Sequence, residues 1–248
     1  MDDLGFRFTW HGHANVEVVT RGGRVIRFDP WFGNPRSDLA VEAVERCDVM
    51  LVTHGHADHL GGSARSGTPD SVAIAARTLP AWPAIHELAL WLRNHAKTPA
   101  DVIGMNKGGT VDARGIAVTM VRAEHSAGQW DEAIGDISLG EPAGFVVALE
   151  NGTRIYHAGD TDVFSDMALI RELHRPSVAF LPIGGHYTMG PDGAAKAAEL
   201  LGVTTVVPIH YGTFPALSGT PDELRAALDR RGLDRVRLLA PEPGEPVG

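Results

Sequence analysis

The chain has 248 residues, of which 44% are hydrophobic and 21% charged, and its formal net charge is −9. This composition predicts a soluble globular protein with a substantial core, and the negative charge argues against nucleic acid or an anionic membrane surface as a partner. The single cysteine, Cys47, excludes an internal disulfide, and without a signal-peptide pattern or an apolar run long enough to span a bilayer we expect a cytoplasmic protein.

Short strands separated by glycine turns are predicted for the first part of the chain. Residues 6–10, 15–20 and 24–28 are rich in β-branched and aromatic side chains, and Arg21–Arg24 has the composition of a hairpin turn. The pattern then predicts a helix over 37–46, an apolar strand over 48–53, a strand over 71–75 and a helix around 85–95.

The second part of the chain begins with strands and continues as an alternation of helices and strands. Strands are predicted over 101–105, 115–123, 144–150 and 153–159, with Asn151-Gly152 as a hairpin turn. Helices are then predicted over 166–174, 191–202 and 221–232, alternating with strands over 177–183, 204–210 and 236–240. This alternation indicates α/β layering, in which helices cover buried strands. We expect one domain over 1–240 and a loosely held tail over 241–248.

Four ligand-type residues follow the strand predicted at 48–53: His54, His56, Asp58 and His59. A helix would bring them together in pairs, but Gly55 disfavours a helix and the glycines at 61 and 62 predict an early end. In an extended loop, His54 and His56 point the same way, while Asp58 and His59 face a second point nearby. Imidazole and carboxylate bind zinc, manganese and iron. The spacing therefore suits two metal ions that share one short loop.

The pattern H-x-H-x-D-H at a strand end resembles the signature of the metallo-β-lactamase superfamily. The resemblance implies three further ligands, each just past a predicted strand: His125, Asp160 and His210. It also implies a four-layer αββα sandwich, with two mixed sheets flanked by helices. The segments GDTDVFSDM, LPIGGHYTMGPD and PIHYGTFP resemble most closely a branch of metal-dependent hydrolases related to ascorbate-phosphate lactonases.

The resemblance implies a binuclear centre with zinc as the expected metal and manganese or iron as alternatives. One ion would be held by His54, His56 and His125, the other by Asp58, His59 and His210, and Asp160 would bridge them. Asp29, which precedes Pro30, has two interpretations: it orients a ligand histidine by accepting its second N–H, or it is a simple turn residue.

Further residues are candidates for catalysis or substrate contact. Asp58 is predicted to orient the nucleophile as well as to bind metal. His186 is predicted near the substrate because it follows a strand end and a Gly-Gly pair, where the branch has an acidic residue in place of one glycine. Tyr187 and Tyr211 are predicted substrate contacts because they flank proposed site residues. His13 has two interpretations: it lines the pocket, as the resemblance implies, or it is a strand-end histidine bonded to the backbone. Trp130 is predicted to cover the site from the long loop over 128–142, because long loops in compact domains are often functional.

These observations predict a metal-dependent hydrolase in which a metal-activated hydroxide attacks a small anionic lactone, ester or phosphodiester. One alternative is an iron-dependent oxidoreductase with the same ligands. Another is a phosphodiesterase or nuclease of the tRNA-processing type, which the net charge disfavours. A non-catalytic metal-binding scaffold would be expected to lack some of the seven ligands, and all seven are present. The resemblance also implies that copies of the chain self-associate, as relatives commonly do.

Overall fold

The computed structural model describes residues 3–62, 67–131 and 135–248, and it describes residues 130 and 131 by their backbone only. Within these residues, the first sheet contains seven strands: β1 (Phe6–Trp10), β2 (Val16–Thr20), β3 (Val25–Phe28), β4 (Val49–Leu51), β5 (Ala81–Ile85), β6 (Asp101–Met105) and β16 (Pro246–Val247). Their order across the sheet is β16-β1-β2-β3-β4-β5-β6. The half from β16 to β3 is antiparallel and the half from β3 to β6 is parallel, so the sheet is mixed.

The second sheet has the same number of described strands and a similar division. It contains β7 (Thr110–Ala113), β8 (Ile116–Arg122), β11 (Ala143–Ala148), β12 (Arg154–His157), β13 (Val178–Pro182), β14 (Thr205–Ile209) and β15 (Arg237–Leu238), in the order β15-β14-β13-β12-β11-β8-β7. Strands β12 to β15 run parallel, and β7, β8, β11 and β12 pair antiparallel. A separate hairpin consists of β9 (Gln129–Asp131) and β10 (Gly135–Ile137).

The two sheets face each other, and helices cover their outer faces. Phe8 of β1 meets Phe180 of β13 edge to face, with ring centroids 5.3 Å apart. Phe28 of β3 stacks on His157 of β12 at 4.6 Å. The helices are α1 (Ala57–Leu60), α2 (Asp70–Thr78), α3 (His86–Asn94), α4 (Met167–His174), α5 (Pro191–Leu201) and α6 (Pro221–Arg230). Helix α3 packs on β5 and β6, while α5 packs on β13 and lies between α4 and α6. The predicted αββα architecture is confirmed.

Two predicted elements are wrong. The strand predicted over 71–75 is part of helix α2, which buries Ser71, Val72, Ile74 and Ala75. The alternation of Val72 and Ile74 suggested a strand, but the buried set also has helical spacing. The helix predicted over 37–46 is reduced to a single 3₁₀ turn at Val41–Ala43, in which no residue is buried. A turn that buries no apolar face gains little from tertiary packing, on which short helices depend.

The C-terminal residues, predicted as a loosely held tail, include strand β16, in which Val247 pairs with Phe8 of β1. Among the described residues, none of the helices has both the length and the apolar character needed to cross a bilayer.

Candidate metal centre

The segment after β4 combines the two geometries considered for it. It runs as a loop to His56, and the single-turn helix α1 then carries Asp58 and His59. Gly61 ends this helix in the left-handed conformation, with φ 89°. The loop directs His54 and His56 toward one candidate metal site, and the helix turn directs Asp58 and His59 toward a second candidate site beside it.

The first candidate metal site is surrounded by three histidines. Nε2 of His54 lies 2.9 Å from Nδ1 of His56, and the ring centroid of His125 is 5.2 Å from each of the other two. One nitrogen from each ring lies within 4.8 Å of the others, a spacing that can hold a metal ion. His125 follows β8, so this group joins the two sheets.

The second candidate metal site is surrounded by Asp58, His59, His210 and His13. Their possible ligand atoms again lie within 4.8 Å of one another. Asp160, which follows β12, lies between the two groups. Its Oδ2 is 3.0 Å from Nε2 of His210, 3.3 Å from Nε2 of His59 and 3.6 Å from Nε2 of His125. One carboxylate oxygen thus reaches histidines of both groups, as a bridging ligand must.

Asp29 hydrogen-bonds one candidate ligand histidine directly and a second one through Thr53, and it is also a turn residue. Its Oδ2 accepts hydrogen bonds from Nδ1 of His59 at 2.8 Å and from Oγ1 of Thr53 at 2.8 Å. Because Thr53 donates to Asp29, its oxygen accepts from Nδ1 of His54 at 3.0 Å. These bonds fix the protons on the Nδ1 atoms of His54 and His59 and leave both Nε2 atoms for a cation.

Several buried polar atoms at the centre have no hydrogen-bond partner among the described residues. They are Oδ1 of Asp160, Nε2 of His59, and both ring nitrogens of His210. Buried polar groups in native proteins are nearly always paired, so the unpaired Oδ1 of Asp160 and Nε2 atoms of His59 and His210 are suited to bind a cation. A histidine and carboxylate set of this kind fits divalent transition metals. The residues therefore fit the metal ions that the resemblance implies.

The pKa shifts favour the protonation states that metal binding requires. Burial, followed by the neighbouring His59, holds the pKa of His54 well below its usual value, and burial also lowers the pKa of His56 and His125. Burial tends to raise the pKa of Asp160, but His210 and His59 outweigh it and hold that pKa well below its usual value. Metal ions bind neutral imidazole and ionised carboxylate, and these shifts favour both forms at neutral pH.

His59 differs from the other histidines. Burial tends to lower its pKa, but Asp160 and Asp29 outweigh burial and raise the pKa well above 6.5. The two carboxylates therefore favour the protonated form of His59 in the metal-free protein. A cation that binds His59 has to displace this proton.

The residues predicted to contact substrate, and His186, differ in burial and in their distance from the candidate metal sites. His13 is buried and hydrogen-bonds Asp58. Tyr211 is also buried, with its ring stacked on Trp10 at 5.0 Å, so it packs in the interior rather than lining an open pocket. Tyr187 is 60% exposed and its ring contacts His186 at 4.5 Å. His186 is exposed, and no hydrogen bond or ring contact links it to the centre among the described residues. Trp130 lies on β9, and its side chain is outside the described residues.

Two residues beside the centre were missed as site residues. Trp31 packs edge to face on His13 at 5.1 Å and contacts Phe214, which is 39% exposed, at 5.9 Å. Oγ1 of Thr213 lies 3.0 Å from Nδ1 of His13. The sequence signal for both was their position next to motif residues: Trp31 follows Asp29-Pro30, and Thr213 follows the segment His210–Gly212.

A groove of about 470 Å³ opens beside His56 and Asp58. Its opposite wall comes from the β9–β10 hairpin, through Gly128, Asp136 and Ile137. The long loop over 128–142, predicted to shape the site, therefore contributes a wall of this groove. The volume is within the range of about 300–1,000 Å³ that is typical of small-molecule sites.

Comparison with known proteins agrees with this geometry. Residues 24–211 match the family model for the β-lactamase superfamily domain. The chain belongs to the metallo-β-lactamase superfamily. Within the superfamily, it is 48% identical over 227 residues to a UPF0173 metal-dependent hydrolase of Koribacter versatilis, covering 90% of this chain and 92% of the relative. It is 46% identical over 240 residues to a UPF0173 metal-dependent hydrolase of Archaeoglobus fulgidus, covering 96% and 97%.

A solved structure shows the same superfamily fold. Igni18, a metallo hydrolase from the archaeon Ignicoccus hospitalis, superposes with a TM-score of 0.83 at 34% identity, covering 98% of this chain and 97% of that one. The prediction of a metal-dependent hydrolase of the metallo-β-lactamase superfamily is confirmed at this level of description.

Proposed function

We propose that this enzyme hydrolyses a small anionic lactone, ester or phosphodiester at a centre that holds two divalent cations. His54, His56 and His125 would bind one ion, Asp58, His59 and His210 the other, and Asp160 both. Zinc is the expected metal, with manganese or iron as alternatives. The observation that carries the proposal is the position of Asp160, whose Oδ2 lies within 3.6 Å of histidines from both groups.

When bound, such ions supply Lewis acidity that lowers the pKa of water to about 7 and polarises a substrate oxygen. The protein's own groups then place the reactants. The side chain of Asp58 is 30% exposed, so it borders both the buried centre and the solvent. Burial tends to raise its pKa, but the hydrogen bond from His13 and the charge of His59 outweigh burial, so the carboxylate is ionised. It can therefore accept a hydrogen bond from an attacking water and orient that water, as predicted for Asp58.

The surroundings of the centre support a small substrate. The groove beside His56 is bordered on one side by the hairpin wall at Asp136 and Ile137, and its volume of about 470 Å³ suits a small molecule. The net charge of −9 also disfavours nucleic acid and anionic membranes as partners. A single buried cysteine is consistent with the reducing cytoplasm as the location.

Metal removal tests the proposal. We expect a purified sample to hydrolyse at least one member of a panel of lactones, esters and phosphodiesters. Chelation should abolish this activity, and zinc or manganese should restore it. His56→Ala should lower kcat/KM by about 100-fold or more, because ligand loss removes the positioned cation. His95→Ala, at an exposed helix end, is the matched control and should retain full activity.

Two experimental results would contradict the proposed hydrolase function. Turnover that persists after complete metal removal would overturn it. Iron with an optical charge-transfer band, combined with oxygen consumption and no hydrolysis, would favour the oxidoreductase instead.

A further inference from the structure

The side chains of Thr213, His13 and Asp58 form a chain of hydrogen bonds that ends at the proposed metal centre. Oγ1 of Thr213 lies 3.0 Å from Nδ1 of His13, and Nε2 of His13 lies 3.1 Å from Oδ2 of Asp58. His13 and Thr213 are buried, and the three residues come from separate parts of the chain. Neither Thr213 nor His13 belongs to the proposed ligand set of the two cations.

His13 is held rigidly by its own backbone. It has a positive φ of 51°, a strained conformation for a residue with a side chain. Its carbonyl oxygen accepts hydrogen bonds from Nε1 of Trp10 at 2.8 Å and from the backbone N–H of His210 at 2.8 Å. The backbone of His13 is thereby tied to that of His210, and the centroids of the two rings lie 4.0 Å apart.

The hydrogen-bond directions follow from the chemistry of the three side chains. The Asp58 carboxylate can only accept, so Nε2 of His13 carries a proton and donates to Oδ2. In the neutral ring Nδ1 is then an acceptor, and it accepts from the Thr213 hydroxyl at 3.0 Å. Oδ1 of Asp58 remains as the acceptor for a cation or water.

We propose that His13 and Thr213 are positioning residues that hold Asp58 in the orientation needed at the cation site shared with His59 and His210. The inference rests on the proposed function, because it assigns a role at that same centre. Hydrogen-bond partners of metal ligands orient the ligands and raise metal affinity. This chain of hydrogen bonds, Thr213–His13–Asp58, would affect only the site with Asp58, because it does not include His54, His56 or His125.

Direct metal binding by His13 is the rival interpretation, because its ring lies within ligand distance of Asp58, His59 and His210. Both of its nitrogens already have partners, however, in Thr213 and Asp58. A cation bound to Nε2 would have to break the bond to Asp58. The two interpretations predict different metal stoichiometries.

Titration of the metal-free protein with Co²⁺, followed by visible absorption, tests the proposal without substrate. The wild type should bind two ions. His13→Asn should still bind two ions, but one of the two affinities, that of the site with Asp58, should fall by about 10- to 100-fold while the other stays unchanged. Asparagine tolerates the positive φ but is too short to reach Asp58.

Thr213 provides a graded test. Thr213→Val preserves the shape but removes the hydroxyl, and it should weaken the same site and lower kcat with little change in KM. Thr213→Ser keeps the hydroxyl and should restore both properties. His11→Asn is the matched control, because His11 bonds a different carboxylate, Asp38, at 2.7 Å, two residues before His13. It should leave both affinities unchanged.

The outcomes separate this inference from the proposed function. A wild type that binds no second ion would overturn both. Two ions in the wild type with unaltered affinities in His13→Asn and Thr213→Val would overturn the inference alone. Loss of one whole ion in His13→Asn would show that His13 is a ligand, and equal weakening of both sites would show a merely structural role.

Discussion

At the scale of single residues, Asp29 connects the first sheet to the metal centre. It lies just after β3 with φ 41° and is fully buried. Its carboxylate accepts hydrogen bonds from the backbone and hydroxyl of Thr53 and from Nδ1 of His59. One side chain therefore sets both the position of the loop after β4 and the orientation of a ligand ring.

Asp29→Asn should weaken metal binding by about 10- to 100-fold, as expected when a hydrogen-bond partner of a ligand is altered. Asparagine adopts positive φ readily, so the backbone is preserved, and the change removes the charge and one of the two acceptor oxygens that Thr53 and His59 use. Competition with a chromophoric chelator measures the affinity. Asp48→Asn is the control, because Asp48 is buried just before β4 and accepts from the backbone of Val25, away from the centre. Equal metal affinities in Asp29→Asn and the wild type would contradict this role.

The residues at the centre could be predicted to different degrees. The cluster from His54 to His59 was apparent because its spacing is local. The hydrogen bonds of His13 could not be predicted, because its partners Asp58 and Thr213 lie 45 and 200 positions away in the sequence. Partners so distant in sequence come together only through the pairing of strands, and no local pattern encodes them.

At the scale of elements, the turn after β13 is constrained by close backbone packing. A Cβ at Gly184 would lie 2.2 Å from the carbonyl oxygen of His210. Gly185, by contrast, has φ 71° and no atom within 4 Å of its Cβ position. The acidic residue that the related branch has in this segment would therefore be accommodated at Gly185 and not at Gly184.

Gly184→Ala should destabilise the fold by about 3 kcal/mol, the upper end of the usual cost of over-packing. It should also weaken metal binding, because the new methyl group displaces the backbone of His210. Gly185→Ala, the matched control, should cost only about 1–2 kcal/mol from its left-handed conformation and leave metal binding intact. Urea denaturation measures both costs. Equal destabilisation by the two substitutions would show that the contact with His210 is unimportant.

The element predictions were correct where the pattern is long and regular and wrong where tertiary contacts decide. Helices α3 to α6 were predicted from their apolar spacing. Strand β5 was not, partly because Pro83 within it argues against a central strand. The structure tolerates this proline because β5 pairs with β4 at one position only, Val49 with Ala81, so few ladder hydrogen bonds are lost.

At the scale of the whole molecule, the centre exists only where the two sheets meet. His54 follows β4 of the first sheet, and His125, Asp160 and His210 follow β8, β12 and β14 of the second. The strand order could not be derived from periodicity and was not predicted, whereas the four-layer arrangement of the two sheets was predicted from the family resemblance alone. Metal binding should therefore couple the two halves of the sandwich.

The most direct test of the central claim is anomalous diffraction from crystals grown with zinc. We expect two anomalous peaks per chain, one bound by His54, His56 and His125 and one by Asp58, His59 and His210, with Asp160 in contact with both. A map without a peak among these residues, or with zinc bound only elsewhere on the chain, would contradict the account.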